Sequence, residues 1–413
     1  MNEGDNEMIS VKEKPTMIPQ YNLTGDLLSY LKCPLQYRYY NKAALPPSKP
    51  VQLWFGEFIH GVMEEAYLRW KEDPRYKKFP WDWKTEIREI EEIINDRLNV
   101  RGLHAYKKVF CEYKSDFKKP GKCGQLGHPH KFLVSERTDT AINTWGQHLF
   151  PLIEEVEIDL KGTRSMVKYQ ESTDRSKYYG ISGVADVISS IKIRDSPHGN
   201  LIIHYLHENP EVQKIISSTD QEEFEILIDY KGSRRPPNVY NIHGQSTEWQ
   251  HHEWQILTYA GLRAQSTSSK PVIAGIIFYL NELYPSNRDL EEFQTEVKSN
   301  TTDILPTGRD QTDLLKWRHN RKKSERSDNI LSSELRTMRS IRIIPITPDK
   351  IQESFSHFDN VVKDIESSVK LEIEGKKIPD CWDARFNEKT CTACDAKTFC
   401  PNEKCQMYSP QVP

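Results

Sequence analysis

The stretch that decides the fold is Phe224-Glu-Ile-Leu-Ile-Asp-Tyr-Lys-Gly-Ser233, followed later by Glu253-Trp-Gln-Ile-Leu-Thr-Tyr259. The first segment is rich in β-branched and aromatic residues and ends at a glycine, which predicts a β-strand. Side chains alternate across a strand, so Asp229 and Lys231 are expected on the same face. A buried charged pair is costly unless it has a partner or a task. The pair therefore indicates either a self-contained ion pair or a site that holds a cation and acts on water.

Length and composition describe a foldable but polar protein. The chain has 413 residues, of which 37% are hydrophobic and 28% charged, and its mean hydropathy is -0.71. These values exclude a disordered chain and predict about two or three domain-sized units. The net charge of -3 means that a nucleic-acid site must be a local basic groove. No membrane span or apolar signal region is expected, so we predict a cytoplasmic protein without a membrane partner.

The order of predicted elements is typical of an α/β protein with a mixed central sheet flanked by helices. The predicted helices are 52–71, 84–99, 136–160, 248–264 and 348–371, after a short helix interrupted at Pro34. The predicted strands besides the central one are 166–171, 179–193, 201–206, 272–280 and 340–346.

These elements divide the chain into four parts. We expect a flexible leader at 1–20 and an N-terminal helical region at 21–165, with an insertion at about 100–130. A core follows at 166–372, with a second insertion at about 285–330, and the cysteine-rich segment is 373–413. Within the core, 195–223 is predicted to be an added hairpin or loop.

A second carboxylate is expected beside the first. Asp186 lies in the apolar run Gly180-Ile-Ser-Gly-Val-Ala-Asp, and neighbouring strands are about 4.8 Å apart. Asp186 and Asp229 at that separation can share Mg²⁺ or Mn²⁺, which would polarise a phosphate and activate water. Lys231 is a candidate to orient or deprotonate that water.

Four separated motifs together resemble the RecB-like branch of the PD-(D/E)XK nucleases. They are His60 in Phe-Gly-Glu-Phe-Ile-His-Gly, Asp186 in Gly-Val-Ala-Asp, Asp229-Tyr-Lys231, and Gln255-Ile-Leu-Thr-Tyr259. The resemblance implies a restriction-endonuclease-like sheet in which His60, Asp186 and Asp229 bind the divalent metal and Lys231 serves the nucleophilic water. It also implies that Gln255 and Tyr259 contribute to the site and to the DNA backbone. Taken alone, His60 is an ordinary helix histidine, and Gln255 with Tyr259 is a packed pair at helical spacing.

The resemblance sets the expected function. It implies a deoxyribonuclease, most simply an exonuclease on single-stranded DNA or DNA ends, acting in repair, phage defence or CRISPR spacer acquisition. A helicase or an integration complex is the expected protein partner, because the chain carries no phosphate-binding loop of its own. The alternative is a non-cleaving DNA-binding or scaffold subunit of a larger nuclease–helicase complex.

Cysteines are concentrated near the C-terminus. Cys391, Cys394 and Cys400 have a spacing that suits zinc or an iron–sulfur cluster, and a fourth ligand is needed. Cys381 or Cys405 would complete a zinc site. The phrase Leu28-Ser-Tyr-Leu-Lys-Cys-Pro-Leu-Gln-Tyr-Arg-Tyr39 instead resembles the N-terminal cysteine motif of AddB and the CRISPR-associated RecB-like nucleases. That resemblance implies a 4Fe–4S cluster bound by Cys33, Cys391, Cys394 and Cys400 in a helical lobe built from both chain ends.

Several other polar residues receive secondary predictions. Arg234 and Arg235 follow the central strand directly and are candidates for nucleic-acid contacts. The basic run 316–326 is predicted to be a solvated surface. His251 and His252 are expected to face solvent, Glu171 is a minor candidate for a further metal ligand, and Cys111 and Cys123 are treated as incidental thiols.

Overall fold

The computed structural model describes residues 18–42, 51–106, 109–112, 131–168, 170, 175–192, 199–240, 246–266, 269–318 and 330–406. The strands are β1 (Gln20–Asn22), β2 (Ile153–Ser165), β3 (Tyr178–Lys192), β4 (Glu223–Lys231), β5 (Val272–Tyr279) and β6 (Ile341–Pro345). The helices are α1 (Leu28–Lys32), α2 (Pro34–Lys42), α3 (Val51–Glu72), α4 (Arg88–Val100), α5 (Leu133–Leu149), α6 (Leu201–Glu208), α7 (Pro210–Ser217), α8 (Glu248–Arg263), α9 (Asn287–Ser299), α10 (Gly308–Lys316), α11 (Ser333–Ser340), α12 (Pro348–Ile373), α13 (Ile378–Cys381), α14 (Glu388–Thr392) and α15 (Glu403–Gln406).

The sheet is mixed and has six strands. β3 pairs antiparallel with β2 along most of its length. Its other edge is shared by β1, which pairs with residues 180–182, and β4, which pairs with residues 187–192. β4 and β5 are parallel, and β6 closes the sheet antiparallel to β5. This arrangement confirms the predicted α/β class with a mixed sheet.

Helices cover both faces of the sheet, and the alternation along β4 shows how. Ile226, Ile228 and Tyr230 belong to a core shared with helices α3 to α7. Leu227 belongs to a second core, which α8 and α12 share with α1, α2 and the cysteine-rich tail. Residues 229 and 231 have the same parity as 227 and therefore point towards α8.

The predicted helix at 136–160 ends earlier than expected. α5 ends at Leu149, and 153–165 form the long strand β2 instead. The segment contains three Glu and one Lys, which favour helix locally, but its apolar residues alternate, as along Val156, Ile158 and Leu160. Charged side chains are tolerated on β2 because it is an edge strand of the sheet. The strand predicted at 166–171 is wrong for Met166–Lys168, which follow β2 outside any strand.

The predicted strand at 201–206 is also wrong, because it forms α6. Its apolar side chains Ile202, Ile203 and Leu206 have helical spacing and are buried together. The side chain of Asn200 caps the helix by accepting hydrogen bonds from the backbone amides of residues 202 and 203. With α7, this helix replaces the hairpin or loop predicted across 195–223.

The described part of the second predicted insertion, 285–318, contains the helices α9 and α10. α9 and α10 pack with α11 around their own small core, which contains Leu290, Phe293, Leu314, Leu331 and Leu335. The apolar spacing of each of its helices extends over only a few residues, and its surface is strongly charged. The sequence pattern therefore does not predict these helices. Helices in the described part of the chain include none that is both long and apolar enough to cross a membrane.

Candidate active site

The site is centred on the end of β4. Asp229 is 3% exposed, and its carboxylate Oδ2 lies 2.7 Å from Lys231 Nζ. Both residues are held on the same face by the strand, whose β5 neighbours in register are Ile277 and Tyr279. Among the described residues, Oδ2 contacts Lys231 as an ion pair and accepts no well-aligned hydrogen bond. The predicted pair therefore exists and faces α8.

Gln255 ties both members of the pair to α8. Its Nε2 donates to Asp229 Oδ1 at 3.0 Å, and its Oε1 accepts from Lys231 Nζ at 3.0 Å. One turn later, Tyr259 OH lies 3.4 Å from Gln255 Nε2. The helix is fixed at its start by a capping box between Thr247 and Gln250. A single amide thus orients the carboxylate and the ammonium group.

Asp186 and His60 complete the group from the other side. His60, on α3, places Nδ1 3.3 Å from Asp186 Oδ1. Asp186 Oδ2 accepts a 2.8 Å hydrogen bond from the backbone amide of Tyr230, the residue between Asp229 and Lys231. The backbone of β4 therefore connects the two acidic residues, and all six residues of the four motifs meet in one region.

Two further carboxylates were not predicted as part of this region. Glu64 and Glu157 line a small cleft together with His60 and Asp186. Glu64 follows His60 by one helical turn, a spacing visible in the sequence. Glu157 lies on β2, which was predicted as helix, so its position was not foreseeable. Burial, with added repulsion from Glu157, raises the pKa of Glu64.

The charges at the site are strongly coupled. Burial disfavours the charged form of His60, but the Asp186 carboxylate outweighs this effect and raises the pKa of His60 to about 9. Burial also opposes ionisation of Asp186, yet the neighbouring His60 holds the pKa of that carboxyl below its usual value. For Asp229, burial and the charge of Asp186 outweigh Lys231, so its pKa is raised.

His251 and His252 do not face solvent as predicted. His251 is 6% exposed and lies 2.7 Å from Ser246 Oγ through Nε2. His252 is half-buried, and its Nδ1 lies 3.0 Å from the hydroxyl of Tyr279. Burial lowers the pKa of both imidazoles. His252 precedes Gln255 by three residues, a spacing that places the two on neighbouring positions of one helical face.

Arg234 and Arg235 are not available as the predicted DNA contacts. Arg234 is buried and paired with Glu296, and Arg235 is buried and bound by both oxygens of Asp303. Arg234 also borders a cavity of about 460 Å³ whose wall includes Glu248, Glu291 and Glu292. A phosphate would be repelled there. These arginines instead fasten the segment after β4 to the α9–α11 unit, a role that their sequence position did not indicate.

The cysteines of the two chain ends come together. Cys33, Cys391, Cys394, Cys400 and Cys405 line one small cavity. Cys394 is partly exposed and the other four are buried. The sulfur atoms of Cys391 and Cys405 lie 2.7 Å apart. The four cysteines that the resemblance implies are therefore neighbours, and Cys405 is an unassigned fifth.

The other predicted residues are elsewhere. Cys381 is buried but does not line this cavity, and Cys111 is buried near Arg88, whose guanidinium donates to its carbonyl oxygen. Glu171, Cys123 and 319–329, most of the basic run, lie outside the described residues.

The donor sets suit the implied metals chemically. As they stand, no three His, Cys, Asp or Glu side chains in the described ranges are arranged to hold an ion. At the sheet site, His60 and Lys231 neutralise the carboxylates, which is the task a cation would perform. Two carboxylates and an imidazole are donors that Mn²⁺ and Mg²⁺ accept, and buried thiols around one cavity suit an iron–sulfur cluster.

Comparisons with known proteins give no family. No family model matches the chain, and no curated protein matches it either. A solved structure described as "Crystal structure of SSO0001" matches at 11% identity over 92% of this chain and 98% of that chain, with a TM-score of 0.24. A TM-score this low carries no argument about function, so the site must be interpreted from its own residues.

Proposed function

We propose that this chain is a metal-dependent deoxyribonuclease with a RecB-like, restriction-endonuclease-like core. The observation that carries the proposal is the convergence of Asp186, Asp229 and Lys231 with His60 and Gln255. A self-contained ion pair would need only Asp229 and Lys231. The additional carboxylate and imidazole give this region more titratable groups than structural pairing requires, and such clusters mark functional sites.

His60, Asp186 and Asp229 are the residues that would hold Mg²⁺ or Mn²⁺. When bound, such an ion stabilises charge on a phosphodiester and lowers the pKa of water. The raised pKa of His60 means that its imidazolium must release a proton before the nitrogen becomes a ligand. The low pKa of Asp186 keeps that carboxylate ionised and ready to bind a cation.

Lys231 is the residue that would handle the attacking water. Its ammonium group is held between Asp229 and Gln255, so its position does not depend on substrate. Nζ would orient the water and take part in the transfer of its proton. Gln255 would keep Lys231 and Asp229 in register, while Tyr259 supports the amide from the next helical turn.

A 4Fe–4S cluster bound by Cys33, Cys391, Cys394 and Cys400 is the second part of the proposal. It would join residues separated by more than 350 positions and fix the tail against α1 and α2. Existing contacts already support such a role, since Arg38 pairs with Glu372 and Leu35 N donates to Asp383 O. The cluster's expected function is structural, because closing a long loop restricts the unfolded chain.

The proposed substrate is single-stranded DNA or a DNA end in repair, phage defence or CRISPR spacer acquisition, in the cytoplasm, with a helicase or integration complex as partner. The test is incubation of 5′- and 3′-labelled single strands and duplexes with Mg²⁺, Mn²⁺ or EDTA. The wild-type chain should shorten at least one substrate with metal and none with EDTA, whereas Asp186→Asn should bind without cutting. If the wild type retains DNA on a filter but cuts no substrate, the chain is a non-cleaving DNA-binding subunit.

A further inference from the structure

The cysteine cavity contains one thiol more than a cluster needs. A 4Fe–4S cluster takes four thiolates, and five cysteines line the cavity. The fifth, Cys405, lies on α15, only five residues after Cys400. It is 3% exposed, so it is a neighbour of the cluster position rather than a surface thiol.

Cys405 and Cys391 are in direct contact. Their sulfur atoms lie 2.7 Å apart, across a sequence separation of 14 residues. A disulfide bond is about 2.05 Å long, so bonding the pair requires only a small approach of the two sulfur atoms. Short helices carry both residues, α14 and α15, and Gln406 fixes the second by donating to Cys400 O.

We propose that Cys391 and Cys405 are an oxidation site that forms a disulfide in the cluster-free chain. Each thiol loses its proton, a bond forms between the two sulfur atoms, and two electrons pass to a peroxide. With hydrogen peroxide, the O–O bond breaks and two molecules of water leave. Cys391 cannot be both a cluster ligand and a disulfide partner, so cluster binding and the disulfide exclude each other. The exclusion rests on the proposed cluster, whereas formation of the disulfide depends only on the two thiols.

Cys405 would then protect the cavity when it is empty. A thiolate that an oxidant reaches can be oxidised beyond the sulfenic acid, and the sulfonic stage is irreversible. A disulfide instead stores the two thiols in a form that a reductant restores. The chain could therefore lose its cluster under oxidation and regain it after reduction.

The experiment uses the full chain, stripped of metal with a chelator under anaerobic conditions and then treated with hydrogen peroxide. Alkylation and mass spectrometry should find Cys391 bonded to Cys405. Cys405→Ser and Cys405→Ala should lose that disulfide, gain irreversible oxidation at Cys391, and recover less iron and sulfide after reduction and reconstitution. Cys381→Ser, a buried cysteine outside the cavity, is the matched control and should behave as the wild type.

Three results would overturn the proposal. In one, Cys391 bonds to Cys33, Cys394 or Cys400 instead. In another, it stays a free thiol after oxidation. In the third, Cys405→Ser loses iron and sulfide from freshly purified, unoxidised protein while Cys33→Ser retains both, which would make Cys405 a ligand. Failure of the cluster itself is separately visible: a wild-type chain without iron or sulfide refutes the cluster, yet mapping of the disulfide remains decisive.

Discussion

Two buried carboxylates of β4 face the same helix, and their environments differ. Near the start of the strand, Glu225 is bound by both Arg263 Nε and Arg263 Nη2 at 2.8 Å, and Nη2 also donates to the partly exposed Glu155 at 2.7 Å. Four residues later, Asp229 contacts Lys231 and Gln255, and Asp186 lies close enough to affect the pKa of Asp229. β4 and α8 run antiparallel, so the first pair lies at one end of their interface and the second at the other.

The difference separates a structural ion pair from a candidate site. Glu225 and Arg263 satisfy each other with a planar, two-pronged geometry that leaves little for a ligand to do. At the other end Lys231 faces Asp229 while Asp186 adds a second negative charge, and burial together with that charge raises the pKa of Asp229. Burial and charge alone therefore do not identify a site. A group of several coupled titratable residues does.

Apart from substitution of Asp229 itself, Lys231→Met should produce the largest loss of cleavage in this comparison. It removes the ammonium group proposed to handle water, so cleavage should fall by roughly 10²–10⁴-fold, the usual contribution of acid–base groups. Lys270→Met is the matched control, since Lys270 pairs with Glu223 at the other end of the strand. Single-turnover cleavage rates should be unchanged in the control. Equal losses in both variants would contradict the assignment of Lys231.

Gln255→Ala should have a smaller effect on cleavage. The amide positions Asp229 and Lys231 but touches neither water nor phosphate in the proposed role. Supporting residues of this kind typically contribute about 10–100-fold, and the reduction should appear in kcat more than in KM. Gln265→Ala, just beyond the end of α8, should cut at the wild-type rate. An unchanged kcat for Gln255→Ala would show that Asp229 and Lys231 keep their orientation without the amide.

Stability should show the opposite order from activity. Arg263→Met leaves Glu225 buried without its cation, and breaking a buried pair this way costs about 3–5 kcal/mol. Lys231→Met should cost less than half as much in EDTA, because the raised pKa of Asp229 lets that carboxyl take up a proton instead. Urea unfolding measures both free energies. A larger loss of unfolding free energy for Lys231→Met than for Arg263→Met would mean that the Asp229–Lys231 pair is the structural one.

The ion pair of His60 with Asp186 should appear as a pH dependence of stability, separately from any loss of cleavage that follows from removing a metal ligand. The pKa of His60 is raised in the folded chain from 6.5 to about 9. A raised folded pKa stabilises the fold fully below pH 6.5, and that contribution is lost as the pH rises towards 9. In EDTA, the difference in free energy of unfolding between the wild type and His60→Gln should therefore decline across this range. Asp186→Asn should remove the same decline. If the difference between the wild type and His60→Gln does not change with pH, the ion pair between His60 and Asp186 is excluded.

The sequence predicted those parts whose signal is local. The apolar run of β4, the helix α8 and the strand around Asp186 are all predicted from composition and spacing. The same reading failed for β2, because its Glu and Lys favour helix locally while pairing with β3 decides its conformation. It failed for α6 because β-branched residues can also lie on one face of a capped helix.

Positions near the site were harder to predict than the elements. Arg234 and Arg235 follow Lys231 directly, yet the chain turns inward and both pair with acidic residues contributed by α9 and the loop after it. Spacing alone predicts Cys405 only as an alternative zinc ligand, although it lies beside Cys391. In each case a long-range contact determined the outcome, and spacing along one chain does not encode such contacts.

The most direct test compares Asp229→Asn with Glu225→Gln. Each substitution removes the charge of a buried carboxylate on β4 facing α8, so both should destabilise the fold. With Mg²⁺ or Mn²⁺ and end-labelled single-stranded DNA, at a temperature where both variants are folded, Glu225→Gln should cut within a few-fold of the wild type. Asp229→Asn should show no metal-dependent cutting. Cleavage by Asp229→Asn at the wild-type rate would contradict the proposed site.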